Sequence, residues 1–224
     1  MSYNIAIDGP AGAGKSTIAK ALSKRMNLIY VDTGAMYRAM ALYLLREQVN
    51  HADAEQIAAK CEGADITIRY EDGVQVVYLN GENVNAYLRT EEVGDMASKT
   101  SPQPAIRRKL VKLQQKLAAG SDCVMDGRDI GTCVLPQADV KIFMTASSQV
   151  RAKRRFDELT AKGEVCDYDT ILKDIEERDL RDMNRLESPL KQAEDAVYLD
   201  TSDMNIDQVV EKMLQICEEA KAVQ

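Results

Sequence analysis

The amino-acid sequence predicts an α/β fold with a parallel sheet, and three observations support this prediction. Short apolar segments alternate with segments of helical periodicity, both at the start of the chain and in its second half. The first apolar segment ends at a glycine and a proline, as a buried parallel strand does. The chain has 224 residues, 45% of them apolar, which suits one domain with a small insertion.

The predicted sheet has five parallel strands and is flanked by helices. Apolar segments place the strands at residues 3–8, 28–32, 123–126, 140–145 and 196–200. Helical spacing places helices at residues 15–26, 35–48, 147–162, 168–186 and 206–220, and a further helix starts after Pro104 and stops at Gly120. These elements span the whole chain, so we expect a single domain over residues 1–224.

Residues from about 62 to 100 interrupt this alternation. Alternating apolar residues in "DITIRY" and "VQVVYL" predict a hairpin whose buried face carries Ile66, Ile68, Val74 and Val76. A third short strand after the following Asn-Gly dipeptide would complete a small antiparallel sheet. The sequence therefore predicts an antiparallel insertion within the parallel fold.

Composition and charge argue against several classes of protein. A net charge of −7 without a basic block argues against nucleic-acid binding. The five cysteines are scattered and the only histidine is His51, so we expect neither a zinc site nor a histidine-based triad. No apolar run is long enough for a membrane span and no signal-peptide core is present, so we expect a cytoplasmic protein. No large apolar face is evident, which favours a monomer.

The segment "GPAGAGKST" matches the phosphate-binding pattern G-x-x-x-x-G-K-[ST] and lies between a predicted strand and a predicted helix. Backbone N–H groups in such a loop point inward, and the helix N-terminus adds positive potential. Lys15 would reach the β- and γ-phosphates of a nucleoside triphosphate, and Ser16 would join the coordination shell of Mg²⁺. The residues predicted to bind the triphosphate are Gly9, Pro10, Ala11, Gly12, Ala13, Gly14, Lys15, Ser16 and Thr17.

Charged residues after the predicted strands narrow the class of nucleotide-binding protein. No N-K-x-D motif is present, which argues against a GTPase switch. Asp126 ends the third strand and either holds Mg²⁺ through water or is a turn or helix-cap residue. Segments that leave the carboxyl ends of parallel strands converge, so arginines there can surround transferring phosphates. These arginines are Arg38, Arg128, Arg151, Arg154, Arg155, Arg178, Arg181 and Arg185.

No general base is evident among these residues. A phosphate monoester is largely dianionic near neutral pH, with a second pKa of about 6, so a phosphate acceptor needs no deprotonation. Catalysis would then require two anions to be aligned and their repulsion neutralised by arginines, lysine and Mg²⁺. A hydroxyl acceptor is an alternative. A nucleotide switch that hydrolyses slowly and recruits partners is an alternative from another class.

Six motifs, in order along the chain, resemble the bacterial cytidylate kinase family of the nucleoside-monophosphate kinase group. They are "IAIDGPAGAGKST", "VDTGAMYRA", "MDGRDIGT", "VKIFMTAS", "RAKRR" and "ERDLRDMNR". The resemblance implies a P-loop kinase core that transfers a phosphoryl group from Mg·ATP to CMP and dCMP. It also implies that the insertion at about 62–100 binds the monophosphate and that residues 151–166 form a short helical lid. Another P-loop kinase, acting on UMP or AMP, is the near alternative.

The resemblance also implies roles for individual side chains. Those matched to the acceptor site are Thr33, Tyr37, Arg38, Ser98, Arg107, Arg128, Asp129, Arg178, Asp182 and Arg185. Those matched to phosphoryl transfer are Lys15, Arg38, Arg128, Arg151, Arg155 and Arg178. Asp129 or Ser98 would accept from the amino group of cytosine and Arg107 would donate to its ring acceptors, whereas uracil presents a different pattern. Thr33 stands where serine is common in the family and keeps the hydroxyl. Sequence alone leaves open whether Arg107 or Arg108 points inward.

The segment "ERDLRDMNR", residues 177–185, permits two interpretations. Arg178, Asp182 and Arg185 share one helical stripe, which suits either a solvated face or a nucleotide contact. We interpret its arginines as contacts to the acceptor nucleotide, and Asp182 as a partner for a sugar hydroxyl or for an arginine. Asp179 is interpreted as a surface charge. We expect Arg185→Ala to lower kcat/KM for CMP at least about tenfold with little change in unfolding.

Overall fold

A computed structural model describes residues 2–223, which divide into two compact units. The first unit contains Ile29–Asp122, and the second contains Tyr3–Leu28 and the chain from Cys123 onward. The elements in chain order are β1 (Asn4–Asp8), α1 (Lys15–Met26), β2 (Ile29–Asp32), α2 (Thr33–Arg46), α3 (Ala54–Cys61), β3 (Ile66–Glu71), β4 (Val74–Leu79), β5 (Glu82–Asn83), α4 (Glu91–Thr100), α5 (Pro104–Gly120), β6 (Cys123–Gly127), a π-helix (Ile130–Val134), β7 (Val140–Thr145), α6 (Ser148–Ala161), α7 (Tyr168–Asn184), β8 (Val197–Asp200) and α8 (Ile206–Val223).

The chain contains a five-stranded parallel sheet, made of β1, β2, β6, β7 and β8, and a three-stranded antiparallel sheet. These two sheets and the surrounding helices confirm the predicted fold class. Within the second unit the strand order is β6-β1-β7-β8, with Ile5 of β1 opposite Val124 on one side and Val140 on the other. Ile5 and Ile7 are fully buried because β1 lies between two parallel neighbours. The glycine-rich loop therefore follows an interior strand of the sheet.

Helix α1 has the predicted bounds because both of its ends are marked in the sequence. Gly14 precedes it with a left-handed backbone, φ 87°, which is favourable for glycine. Asn27 follows it, also left-handed, in the conformation common at helix C-termini. Its buried face includes Ile18, Ala19 and Leu22, and the helix packs against β6 and α8. Lys15, the first residue of the helix, is thereby fixed next to the glycine-rich loop.

In the first unit β3 and β4 form the predicted hairpin, and β5 adds the third antiparallel strand. Ile66 and Val76 are buried and Ile68 is half-buried. The prediction that they share one buried face was wrong, because Ile66 and Ile68 pair with Leu79 and Val77, and Val74 and Val76 therefore lie on the opposite face. The prediction for Val74 was wrong, because this side chain is 62% exposed. Burial increases along β4 away from the turn, so Val74, which follows the turn directly, lies at the exposed tip of the hairpin.

Two helices of the first unit, α3 and α4, were not predicted from the sequence. Each begins with a side-chain cap: Asp53 accepts from the backbone N–H of Gln56, and Thr90 accepts from that of Val93. Helix α3 has eight residues and buries only two of them, so its apolar periodicity is weak. The capping residues Asp53 and Thr90 were the sequence features that could have predicted where these helices begin.

The structure also bears on membrane spans and cysteine chemistry. Within residues 2–223 no helix combines the length and apolar character that a membrane crossing requires. All five cysteines are free, and Cys61, Cys123 and Cys217 are buried. Over the same described residues, no three His, Cys, Asp or Glu side chains are grouped as a metal site would need.

Candidate active site

The glycine-rich loop connects β1 to α1. At its first residue, Gly9, the backbone conformation and the space available permit only glycine. Gly9 has a φ of 148°, and a Cβ atom on it would lie 1.9 Å from the carbonyl oxygen of Met144. The loop therefore packs closely against the C-terminal end of β7. That edge of a parallel sheet is where phosphate-binding loops lie.

Lys15, the first residue of α1, is 5% exposed, and its Nζ donates to the carbonyl oxygen of Pro10 at 2.7 Å. Burial, and next the charge of Arg128, lower the pKa of its ammonium group to about 7, against the opposing effect of Asp126 and Asp8. A buried ammonium group is costly unless an anion compensates it. A bound polyphosphate would supply that anion, so Lys15 is well placed to bind one.

Ser16 and Asp126 are brought together as the sequence predicted. The Ser16 hydroxyl donates to Oδ2 of Asp126 at 2.9 Å, and Asp126 is 6% exposed in β6. Hydroxyl and carboxylate oxygens are hard ligands that suit Mg²⁺, which takes few protein ligands and keeps water and substrate phosphates as the others. The residues present therefore fit a magnesium ion that is held mainly by a bound nucleotide.

Asp8 is a site residue that sequence reasoning missed. It ends β1, is 5% exposed, and accepts from the backbone N–H groups of Ile130 at 2.8 Å and Gly131 at 2.7 Å. Burial raises the pKa of Asp8 to about 6, although these two hydrogen bonds lower it. Asp8 thus ties the interior strand to the segment that carries Arg128 and Asp129. The sequence feature that could have indicated Asp8 is its position, as a charged residue at the end of an apolar strand.

Half-buried arginines and buried carboxylates of the second unit form one cluster. Nε of Arg128 donates to Oδ2 of Asp182 at 2.9 Å, and Arg185 lies 3.7 Å from Asp129 and 3.9 Å from Asp182. Burial alone would raise the pKa of Asp182, but the charge and hydrogen bond of Arg128, with the charges of Arg178 and Arg185, lower it below its ordinary value. With three arginines and two carboxylates, the cluster keeps positive charge for an anion.

Arg185 lies just beyond the helix on which the sequence placed it. Helix α7 ends at Asn184, and Arg185 has an extended backbone with a ψ of 140°. Its Nε donates to the carbonyl oxygen of Ser188 at 2.5 Å, which ties down the turn after the helix. Arg185 therefore has a structural contact in addition to its charged neighbours.

This contact changes the expected result for Arg185→Ala. We still expect kcat/KM for CMP to fall at least about tenfold. Unfolding free energy should also fall, by about 1–3 kcal/mol, because buried carboxylates lose a charged neighbour and a turn loses its anchor. Steady-state kinetics and urea unfolding measure the two effects. Arg181→Ala, an exposed arginine on α7, is the control, and an Arg185→Ala protein with kinetics like this control would contradict the prediction.

Arg151, which the resemblance implied to be a lid residue, contacts the glycine-rich loop in this structure. It is 5% exposed, and its guanidinium donates to the carbonyl oxygens of Ala146 at 2.8 Å and Ala11 at 2.9 Å. Its third contact is to Oδ2 of Asp179 at 2.6 Å. The interpretation of Asp179 as a surface charge was wrong, because its side chain is only 13% exposed and binds this arginine. A role of Arg151 in phosphoryl transfer stays a prediction.

Two further arginines of α6 have partners outside the cluster. Arg155 pairs with Glu158 on its own helix at 3.0 Å, and both side chains are half-exposed. Arg154 donates to the carbonyl oxygen of Thr201 at 2.7 Å. The predicted lid, residues 151–166, corresponds to most of α6 and the loop after it. The structure therefore does not bring Arg155 to the cluster around Asp182.

In the first unit, the side chains predicted to bind the acceptor lie on α2, α4 and α5. Thr33 begins α2 and is 3% exposed, and Tyr37 and Arg38 follow one turn later. The guanidinium carbon of Arg107 lies 5.6 Å from the centre of the Tyr37 ring, within cation–π range. Arg107 is buried and Arg108 is exposed, so Arg107 is the one that points inward.

Ser98 lies on α4 and is half-buried. Its carbonyl oxygen accepts from the Ser101 hydroxyl at 3.3 Å, and the Ser101 carbonyl oxygen accepts from Arg107 at 3.5 Å. The short connection between α4 and α5 thus links Ser98 to Arg107. These two residues are the predicted base contacts of the first unit.

A phosphate-binding loop after an interior parallel strand, with an Mg²⁺-compatible pair and a cluster of half-buried arginines, defines a nucleotide-binding protein with the P-loop kinase fold. The cytidylate kinase family model matches residues 5–219, so the chain belongs to the cytidylate kinase family. It is 48% identical over 213 residues to a cytidylate kinase of Caldicellulosiruptor saccharolyticus, covering 95% of this chain and 94% of that one. It is also 48% identical over 215 residues to a cytidylate kinase of Listeria monocytogenes serovar 1/2a, covering 96% and 95%.

Among solved structures, the chain is similar in fold to a gluconokinase from Sinorhizobium meliloti 1021. The TM-score is 0.51 at 13% sequence identity, over 99% of this chain and 95% of that one. At this identity the similarity concerns the fold alone, and it agrees with a kinase-type arrangement of the parallel sheet.

Proposed function

We propose that the chain transfers the γ-phosphoryl group of ATP to CMP and dCMP, giving ADP with CDP or dCDP. One observation of the structure carries the proposal beyond family membership: the arginine–carboxylate cluster begins directly after the strand whose Asp126 is bonded to the helix that follows the glycine-rich loop. Asp126 accepts from Ser16, the residue after Lys15, and Arg128, two residues further on, is bonded to Asp182. Besides burial, the charge of Arg128 also lowers the pKa of Lys15. Positive charge for a donor phosphate and for an acceptor phosphate is therefore concentrated in one part of the second unit.

The donor nucleotide would be held by the loop of residues 9–17. Lys15 would contact the β- and γ-phosphates, and Ser16 with Asp126 would hold Mg²⁺, Asp126 through water. When bound, Mg²⁺ would neutralise charge that develops on the phosphate oxygens. Arg151 holds the carbonyl oxygen of Ala11 and so keeps the loop in shape for these contacts.

The acceptor phosphate would be held by arginines alone, with no general base. Arg128, Arg178 and Arg185 surround Asp182, and their charge exceeds that of the neighbouring carboxylates. A dianionic phosphate needs alignment and neutralisation instead of deprotonation, because its second pKa is about 6. Asp182 would fix Arg128 in place and offer an acceptor to a sugar hydroxyl.

The cytosine base would be recognised by groups of complementary hydrogen-bonding type. Asp129 or Ser98 would accept from the exocyclic amino group, and Arg107 would donate to N3 and O2. Uracil has a ring N–H where cytosine has an acceptor, and a carbonyl where cytosine has an amino group. The arginine donor would then face a donor, and the Asp129 or Ser98 acceptor would face an acceptor. Thr33, Tyr37 and Arg38 on α2 would contact the rest of the acceptor nucleotide.

A lid and a monophosphate-binding insertion belong to the same proposal. The lid, residues 151–166, would close over the phosphates with Arg151 held at its base and Arg155 carried inward. Closure would exclude water, so that the acceptor outcompetes hydrolysis. Residues from about 62 to 100 would form the insertion. We also propose that the protein works as a cytoplasmic monomer on small molecules, without nucleic-acid or membrane partners.

One coupled assay tests the proposed reaction. ADP release from ATP and Mg²⁺ is measured with CMP, dCMP, UMP, AMP or GMP, and without an acceptor. We expect fast turnover with CMP and dCMP and a rate at least about tenfold lower with UMP. Equal rates with CMP and UMP would contradict the base assignment alone. Nucleotide binding with no acceptor-dependent turnover would support a nucleotide switch and contradict the kinase.

A further inference from the structure

Side chains of the antiparallel hairpin in the first unit form hydrogen bonds with the backbone just before helix α2. The side-chain amide of Gln75, on β4, accepts from the backbone N–H of Asp32 at 2.8 Å and donates to the Asp32 carbonyl oxygen at 3.2 Å. A primary amide has the same donor and acceptor as a peptide group, so Gln75 bonds Asp32 much as a neighbouring strand would.

A second side chain of the hairpin makes a similar contact. The hydroxyl of Tyr70, on β3, donates to the carbonyl oxygen of Tyr30 at 3.1 Å. Tyr70 and Gln75 are direct cross-strand partners, so their side chains project from the same face of the hairpin. Together they hold the backbone at two positions that are two residues apart on β2.

The segment they hold leads directly into the acceptor residues. The Asp32 side chain accepts from the N–H of Ala35 and so caps α2, whose first residue is Thr33. Tyr37 and Arg38 lie one turn further on. A change in the position of Asp32 would therefore move the whole first turn of α2.

We infer that Tyr70 and Gln75 are positioning residues for the acceptor segment of residues 33–38. This inference rests on the proposed function and gives the insertion a specific task in it: the hairpin fixes the helix that meets the acceptor. Neither residue needs to touch the substrate, because both act through the backbone of β2. The donor nucleotide is bound by a different part of the chain, so its binding should be independent of this pair.

The kinetic test compares KM for the acceptor with KM for ATP. Gln75→Ala is expected to raise KM for CMP about tenfold or more and to leave KM for ATP within about twofold. Gln75→Glu keeps the acceptor for the Asp32 N–H but loses the donor, so an intermediate KM for CMP is expected. Equal increases in KM for CMP and ATP, or no increase in either, would overturn the inference.

A matched pair of tyrosines separates positioning from general loss of stability. Tyr70→Phe removes the hydroxyl that holds Tyr30 and should raise KM for CMP. Tyr78→Phe removes a hydroxyl of the same hairpin that bonds Glu71 at 2.7 Å, and its KM should match that of the unchanged protein. The same effect from both substitutions, together with equal losses in urea unfolding, would mean that the hairpin only stabilises the fold.

Hydrogen exchange gives a readout that does not depend on the acceptor. In Gln75→Ala the backbone amides of residues 33–38 should exchange faster, while those of α5 stay unchanged. If the unchanged protein does not phosphorylate CMP, the proposed function fails, but faster exchange confined to residues 33–38 would still support the positioning role. Unchanged exchange in that segment would contradict it, whatever the substrate.

Discussion

Lys15→Met is expected to lower kcat at least about a thousandfold, which corresponds to about 4 kcal/mol of transition-state stabilisation. Methionine has nearly the length of lysine and no charge, so the substitution removes the ammonium group and leaves most of the packing of the α1 N-terminus. The phosphates would lose the cation that the glycine-rich loop places beside them. KM for CMP should change much less than kcat, because Lys15 is proposed to contact the donor.

The same substitution should leave the unfolding free energy within about 1 kcal/mol of its original value. Lys15 is 5% exposed, and the lowered pKa of its ammonium group means that the folded protein disfavours the charged form. Removing it relieves a desolvation cost while it also removes the attraction to Asp8 and Asp126, and these effects oppose each other. Lys24→Met, on the exposed side of α1, is the matched control. A Lys15→Met protein that keeps more than about a tenth of the original kcat would contradict the assigned role.

Local sequence signals predicted the glycine-rich loop and the helix after it, because each of their features is encoded within a few residues. The glycines, the lysine and the hydroxyl all lie within the nine residues 9–17, and helix α1 has the predicted bounds. The contact between Ser16 and Asp126 could also be anticipated, since Asp126 lies near the end of β6 and Ser16 follows β1, its parallel neighbour.

Long-range pairings could not be predicted from the same signals. Asp179 binds Arg151 across 28 positions, and nothing near either residue distinguishes that aspartate from its acidic neighbours on α7. Helical periodicity suggested that Arg185 continues the stripe of α7, but the helix ends one residue earlier and the arginine anchors a turn. The exposed tip of the hairpin at Val74 depends on how far its packing partners extend, which alternation does not encode.

Asp179→Ala is expected to lower the unfolding free energy by about 3–5 kcal/mol, the largest loss of stability that we predict for a single substitution. Arg151 and Asp179 are 5% and 13% exposed, so the guanidinium would stay buried without its counter-ion. Its bonds to the carbonyl oxygens of Ala146 and Ala11 satisfy N–H groups but supply no negative charge. Urea unfolding should show a lower midpoint with an unchanged slope.

Three comparisons make this prediction specific to the ion pair. Asp179→Asn keeps an oxygen that can accept from Arg151 and should cost less than the alanine substitution. Asp174→Ala, an exposed aspartate of α7, should change the unfolding free energy by less than about 0.5 kcal/mol. In an Arg151→Met background, Asp179→Ala should lower the unfolding free energy much less, because no buried cation then remains without a partner.

The kinetic consequence of Asp179→Ala follows from the contact between Arg151 and the loop. Arg151 joins α6, α7 and the carbonyl oxygen of Ala11, and losing its counter-ion should loosen the backbone that binds the donor phosphates. We therefore expect KM for ATP to rise more than KM for CMP, the reverse of the order expected for Gln75→Ala. A fall in stability with both KM values unchanged would show that the pair stabilises the fold without shaping the loop.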